Sequence, residues 1–361
     1  MLSIIKSAAK RLPPIRRLIA QRQQLQEALA QKTVELELAQ SAARRNDLQG
    51  GAQPVAQTRS QPAQPAAQSE SLKLGLELAA LRSACGFVAP GHYYSPLPDF
   101  DQVRREESRI FGPVPRDIPG LDLREADQLA LIEQFSRFYP DIPFQSDPTP
   151  GLRYHYDNQS YAYSDGIMLH CMLRHLKPKR LIEIGSGYSS CVTLDTNDLF
   201  LDGALEATFI EPYPDLLMSL ISKADRARVK IVPKRLQDVE LDLFRGLGAG
   251  DVLFVDSTHV SKIDSDVNRL FFDILPTLAP GVVIHFHDIF YPFEYPKEWV
   301  RFGRAWNELY VLRAFLQFNS SFRILLMNTF IAHFHRPFLE QHMPLCLANT
   351  GGSIWLEKTQ P

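Results

Sequence analysis

Acids, imidazoles and small hydroxyl residues close five successive apolar runs in this chain, and the chemistry is expected there. The run Leu181–Ile184 carries Glu183 and leads into Gly185-Ser186-Gly187-Tyr188-Ser189-Ser190. Ala207–Ile210 is followed by Glu211, and Val229–Val232 by Gln237 and Asp238. Val252–Val255 runs into Asp256-Ser257-Thr258-His259, and Val282–Phe286, which contains His285, into His287-Asp288. Ligands of a parallel sheet bind at the carboxyl ends of its strands, so polar side chains at five consecutive ends mark a binding site.

The first of these ends is the most informative. Its glycines let the backbone turn tightly and approach a neighbour where a Cβ would collide, and Ser189 and Ser190 open a helix whose free amides face the turn. Glu211 lies 24 positions beyond Gly187, where an acid in this topology accepts hydrogen bonds from a ribose diol. A dinucleotide is the competing ligand. Ser190 stands where GxGxxG has its third glycine, however, and the hydroxyl-rich turn offers no clear phosphate cradle. A nucleoside without a pyrophosphate fits better.

Alternation of the five runs with helical or turn segments predicts an α/β, doubly wound, mostly parallel sheet of the Rossmann-like kind. Two later strands, Phe322–Met327 and Ser353–Glu357, lack a standard crossover between them and suit an antiparallel pair at the sheet edge, making seven strands. A helix that Ser164 or Asp165 can cap, running through Met168, Met172 and Leu176 to Pro178, precedes the first strand. The chain divides into a basic amphipathic helix (1–48), a Gln/Ala/Pro linker (49–71), an irregular helical and proline-rich cap (72–150, helical over Leu72–Cys85 and Ala126–Phe138) and the nucleoside-binding domain (151–361). The linker has too few apolar side chains to offset its ordering entropy.

With 361 residues, 45% apolar content and a formal net charge of −2, the chain has an ordinary soluble composition and no basic excess that argues for nucleic acid. Its four cysteines lack any CxxC spacing, which fits small core residues in a reducing, cytoplasmic setting. No apolar run is long enough to span a membrane, and Lys10 and Arg11 interrupt a signal-peptide core. The first 22 residues carry six basic side chains and no acid. Peripheral contact with an anionic membrane face, self-association through the near-heptad Ile15, Leu18, Leu25, Leu29 and Leu36, and a solvated helix without a partner all fit this pattern.

The stretches EIGSGYSS at Glu183–Ser190, FIEPYP after the second strand, LQDV after the third, FVDSTHV at the fourth and HFHDIFYPFEYP at the fifth occur together with Trp306-Asn307-Glu308-Leu309-Tyr310 and Gly352-Ser353-Ile354-Trp355-Leu356. From about Tyr154 to Lys358 the chain thus resembles the class I S-adenosylmethionine-dependent methyltransferases, and more narrowly the macrolide-sugar O-methyltransferases of sugar and glycan biosynthesis. The resemblance implies that Glu183, Gly185, Ser186 and Gly187 surround the methionine part of S-adenosylmethionine, with Asp256 nearby. It implies Glu211 at the ribose and Asp238, with Gln237, at the adenine amino group. It also implies Asp256 and Asp288 as metal-binding acids and His259 as general base.

The chemistry agrees with that placement. Methyl transfer is mostly a matter of positioning, and a sugar hydroxyl needs a base, for which histidine is suited. A divalent ion between Asp256 and Asp288 can clamp two vicinal oxygens. His287 departs from the pattern, because the sugar enzymes place an acid there. As a third metal ligand it suits manganese or iron better than magnesium, and without a metal either His287 or His259 is the base. The expected function is O-methylation of a saccharide or glycosylated small molecule. The alternatives are a non-catalytic nucleotide- or partner-binding domain and a nicotinamide-dependent oxidoreductase. His285 reads as a core residue, and His333 and His335, in a strand or loop, have no assigned role. The aromatic run Phe290–Trp299 reads as a lid over the acceptor.

Overall fold

A computed structural model gives the structure and describes residues 87–360. The expected N-terminal helix, linker and Leu72–Cys85 helix lie outside the described residues. The sheet has seven strands: β1 (Arg180–Ile184), β2 (Glu206–Ile210), β3 (Lys230–Val232), β4 (Val252–Val255), β5 (Val283–His287), β6 (Phe322–Met327) and β7 (Ser353–Lys358). Their spatial order is β3-β2-β1-β4-β5-β7-β6. The first five pair in parallel, and β7 runs antiparallel to both β5 and β6. All four residues of β4 and all five of β5 are buried, as expected of strands covered on both faces.

The order reverses between β1 and β4, so a crevice opens where their carboxyl ends part. Because β7 is antiparallel, its start meets the end of β5: Ser353 is registered with His287. The edge pair therefore delivers Gly351, Gly352 and Ser353 to the same end of the sheet as the parallel strand ends.

Five helices matter for the site. They are α1 (Glu125–Ser136), α2 (Ser164–Leu176), α3 (Tyr188–Phe200), α4 (Lys223–Arg228) and α5 (Glu308–Leu316). Helix α1 is joined to β6 by buried Gln128, whose Oε1 accepts from Met327 N at 2.8 Å while its Nε2 donates to Leu123 O. Neither Ser164 nor Asp165 caps α2. Tyr163 holds the cap position at φ 36° without a side-chain cap bond, and Asp165 is turned toward β7.

The segment ahead of α2 is locked by Arg153. Its guanidinium pairs with Asp195 and Asp198 on α3 and with Asp225 on α4, at 2.6 to 2.8 Å. Removing one member would strand a buried charge, so this network fixes the path of Asn158–Tyr163 toward the strand ends. Cys171, Cys191 and Cys346 are free and buried. His333 lies in the helix Asn328–Phe334 rather than in a strand or loop, and His335 follows it and contacts Glu125 at 2.6 Å.

Candidate active site

Glu183 is fully buried at the end of β1. Its Oε1 accepts from Ser189 Oγ at 2.5 Å and Ser190 Oγ at 2.9 Å, and Ser190 Oγ also accepts from Gly187 N at 3.1 Å. The hydroxyl that replaces the third glycine therefore ties the strand, the turn and α3 together. Burial outweighs the two hydroxyl donors and pushes the Glu183 carboxyl up to about 8. Its Oε2 and Ser186 Oγ are buried and find no hydrogen-bond partner among the described residues. Gly185 sits at φ 77°, and a Cβ there would lie 2.0 Å from the Asp256 carbonyl oxygen. The glycine is required by contact between the β1 and β4 ends.

The next two ends are more open. Partly exposed Glu211 accepts from Tyr213 N at 2.9 Å. Gln237 donates to Asp264 O, and exposed Asp238 is held by both arms of Arg235 at 2.9 and 3.0 Å. A ligand amino group competing for Asp238 would have to share it with that guanidinium.

At the ends of β4 and β5, Asp256, His259 and Asp288 converge, with one donor atom from each within 4.8 Å of the others. His259 Nε2 is 3.2 Å from Asp256 Oδ1 and 3.5 Å from Asp288 Oδ2. His259 and Asp288 both have left-handed backbones, φ 60° and 58°, the kind of strain that functional positions retain. His259 is fixed from α5. Glu308 Oε2 lies 2.9 Å from its Nδ1, Glu308 Oε1 accepts from Ser257 Oγ, and His259 O accepts from Asn307 N and Glu308 N. The Trp306 ring covers the imidazole at 4.3 Å between centroids.

His287 is held differently from its expected place in the metal set. Its Nδ1 faces Asp256 at 3.4 Å and Asp288 at 3.8 Å, while its Nε2 faces Asp165 at 3.5 Å. Asp165 also accepts from Asn328 Nδ2, Gly352 N and Ser353 Oγ. The compact donor group contains His259, and His287 bridges acids behind it. Burial disfavours charge on either imidazole, yet Asp256 and Glu308 push His259 up to about 10, and Asp288 and Asp256 raise His287. Burial likewise raises Asp288, whereas Asp256 is lowered because its histidine neighbours outweigh burial. A set of acids that holds protons on its histidines can also receive a divalent cation, and the Asp256, His259 and Asp288 donors suit one of the magnesium or manganese class.

Glu308, Asp165 and Trp306 had no expected role in the site, although Asp165 was a candidate helix cap and Glu308 and Trp306 belong to a stretch that resembled the sugar enzymes. His285 is a core residue, stacked on Phe254 at 4.0 Å and kept neutral by burial. The run Phe290–Trp299 is a fixed wall rather than a lid. Tyr291, Phe293 and Tyr295 are buried, and only Phe290 and Trp299 face a pocket of about 150 Å³ beside Asp288.

Residues 182–289 match a family described as a methyltransferase domain. A protein of Archaeoglobus fulgidus described as uncharacterized is 33% identical over 162 residues, 44% of this chain and 72% of that protein. Among solved structures, the SAH-bound methyltransferase PaMTH1 of Podospora anserina is 16% identical, with 76% of this chain and 100% of that chain covered and a TM-score of 0.38. The O-methyltransferase TomG of Streptomyces achromogenes, solved with SAM and involved in tomaymycin synthesis, is 18% identical over 72% of this chain and 96% of its own, with a TM-score of 0.34. The chain belongs to one family with the archaeal protein and carries a methyltransferase domain.

Proposed function

We propose that the enzyme methylates a hydroxyl group of a saccharide or glycosylated small molecule, with His259 as the general base and Asp256 and Asp288 holding a divalent cation. The observation that carries this reading is the convergence of Asp256, His259 and Asp288, with Glu308 behind the imidazole. S-adenosylmethionine, when bound, would supply a sulfonium methyl group whose carbon bonds to the acceptor oxygen as its C–S bond breaks, with S-adenosylhomocysteine leaving as the neutral thioether. Glu183 Oε2 and Ser186 Oγ fit its amino-acid end, because both are buried polar atoms awaiting a partner, and a cationic amine would favour the ionised form of Glu183. Glu211 is assigned to the ribose, and Asp238 with Gln237 to the adenine.

Glu308 accepts a hydrogen bond from Nδ1 of His259 and so turns Nε2 toward Asp256 and Asp288, the side to which the acceptor hydroxyl is assigned. Asp256, Asp288 and Glu308 together hold a proton on this imidazole. A cation held by Asp256 and Asp288 would weaken that hold and leave Nε2 able to take the hydroxyl proton. His287 balances charge between Asp165 and Asp256. A second reading makes His259 a metal ligand, which its place in the donor group favours.

His259→Ala separates the two. The base reading expects turnover to fall by about 10²- to 10⁴-fold, with metal content and S-adenosylhomocysteine affinity retained. Loss of bound metal assigns His259 to the ligand set, and turnover that survives exhaustive chelation removes the metal from the reaction.

A further inference from the structure

The pocket beside Asp288 is too small for a whole glycoconjugate. At about 150 Å³ it falls below the ~300 Å³ at which sites for drug-sized ligands begin, so it accommodates a single ring. Its wall does not end the cavity system. Phe290, Trp299, Asn349 and Gly351 line this inner pocket and also a neighbouring groove of about 950 Å³. The far side of that groove is Ser108–Pro115, a segment outside the methyltransferase match.

This outer wall is fastened to the catalytic domain. Glu107 forms ion pairs with Lys297 and Arg301, and Tyr291 OH donates to the carbonyls of Pro115 and Arg116 at 2.7 and 2.8 Å. Phe290 and Trp299 meet edge to face at 5.1 Å and form the ridge between the two compartments. Gly352 makes room for that ridge, because a Cβ there would lie 2.5 Å from the Phe290 ring. The groove combines the rings of Phe290 and Trp299 with the charged groups Arg109, Glu294 and Lys297. Aromatic faces suit the C–H faces of sugar rings and the charged groups suit their hydroxyls, whereas an acyl chain offers those charges no hydrogen bonds.

We infer that the acceptor is an extended saccharide, with the ring to be methylated in the inner pocket and the following rings in the outer groove against Trp299 and Ser108–Pro115. This rests on the saccharide reading above and adds the length of the substrate and the segment that measures it. Ser108 is exposed and lies in the groove wall, away from the catalytic groups, so a large side chain there narrows the groove without disturbing the fold.

The test uses the full-length chain with radiolabelled S-adenosylmethionine and an array of mono- to hexasaccharides, with calorimetric S-adenosylhomocysteine binding measured in parallel. Saccharides of three or more units are expected to be methylated at least ~10-fold more efficiently than the matching monosaccharide. Ser108→Trp should erase that preference through KM while leaving monosaccharide turnover and S-adenosylhomocysteine affinity unchanged. Methylation without dependence on length, or a length preference that survives Ser108→Trp, overturns this inference alone. S-adenosylhomocysteine binding with no saccharide methylated at any length overturns the saccharide reading and this inference with it.

Discussion

Glu183 and Glu308 are both fully buried carboxylates at the same end of the sheet, and they are satisfied in opposite ways. Glu183 takes two hydroxyl donors from six and seven residues along its own chain, both on Oε1, and keeps Oε2 open. Glu308 uses both oxygens on protein groups, Ser257 and His259, the latter 49 residues away in sequence. A buried acid with an open oxygen is costly until a ligand arrives and is therefore suited to receive one. A buried acid with both oxygens paired holds another side chain still. Under the proposed function, the carboxylate with an open oxygen belongs to the cofactor end of the site and the fully paired one to the acceptor end.

The substitution expected to do most harm abolishes the contrast by disturbing both ends together. Gly185→Ala places a Cβ against the Asp256 carbonyl in a left-handed backbone. The expected cost is roughly 3 kcal/mol or more, a loss of about 6–12 °C in Tm by calorimetry, together with weakened cofactor binding and turnover.

Glu308→Gln should affect only the acceptor end, lowering kcat by about 10- to 100-fold while S-adenosylhomocysteine affinity stays within about twofold. Glu308 helps to hold the His259 proton. A base must be deprotonated to act, so activity limited by His259 rises with pH, and removing Glu308 should move that rise to lower pH by on the order of one unit. An unmoved pH–rate profile would show that His259 does not set it.

Ser190→Ala should produce the smallest effect, confined to the cofactor end. Glu183 loses one of two donors and Gly187 N loses its acceptor. About 1 kcal/mol is expected, read as roughly fivefold weaker S-adenosylhomocysteine binding by titration, with the pH–rate profile unchanged. An equal loss in both assays would mean that the two ends are coupled through α3.

The contrast also explains how far the sequence could be read. The strands, the turn and the strand-end acids are signalled locally, by β-branched runs, glycines and hydroxyls within a few residues, whereas the insertion of β7 between β5 and β6 is not. Glu308 and Asp165 escaped assignment because their partners are brought close only by the completed sheet: Glu308 arrives on α5, and Asp165 meets His287 where β7 starts beside β5. The aromatic run after Asp288 was misjudged as a lid because composition does not say which way a ring points, and Tyr291, Phe293 and Tyr295 point inward. The contact of Gly185 with the Asp256 carbonyl was likewise hidden, because Asp256 is more than 70 residues away at the end of another strand.

The left-handed backbones of His259 and Asp288 have a consequence for anyone selecting hardier variants of this enzyme. Glycine at Asp288 relieves the torsional penalty and removes a carboxylate assigned above to the metal, whereas at His259 it also leaves the buried Glu308 Oε2 without its partner. A screen that rewards heat resistance alone will therefore favour loss of Asp288 over loss of His259, and melting temperature will misrank variants at Asp288 unless turnover is scored beside it.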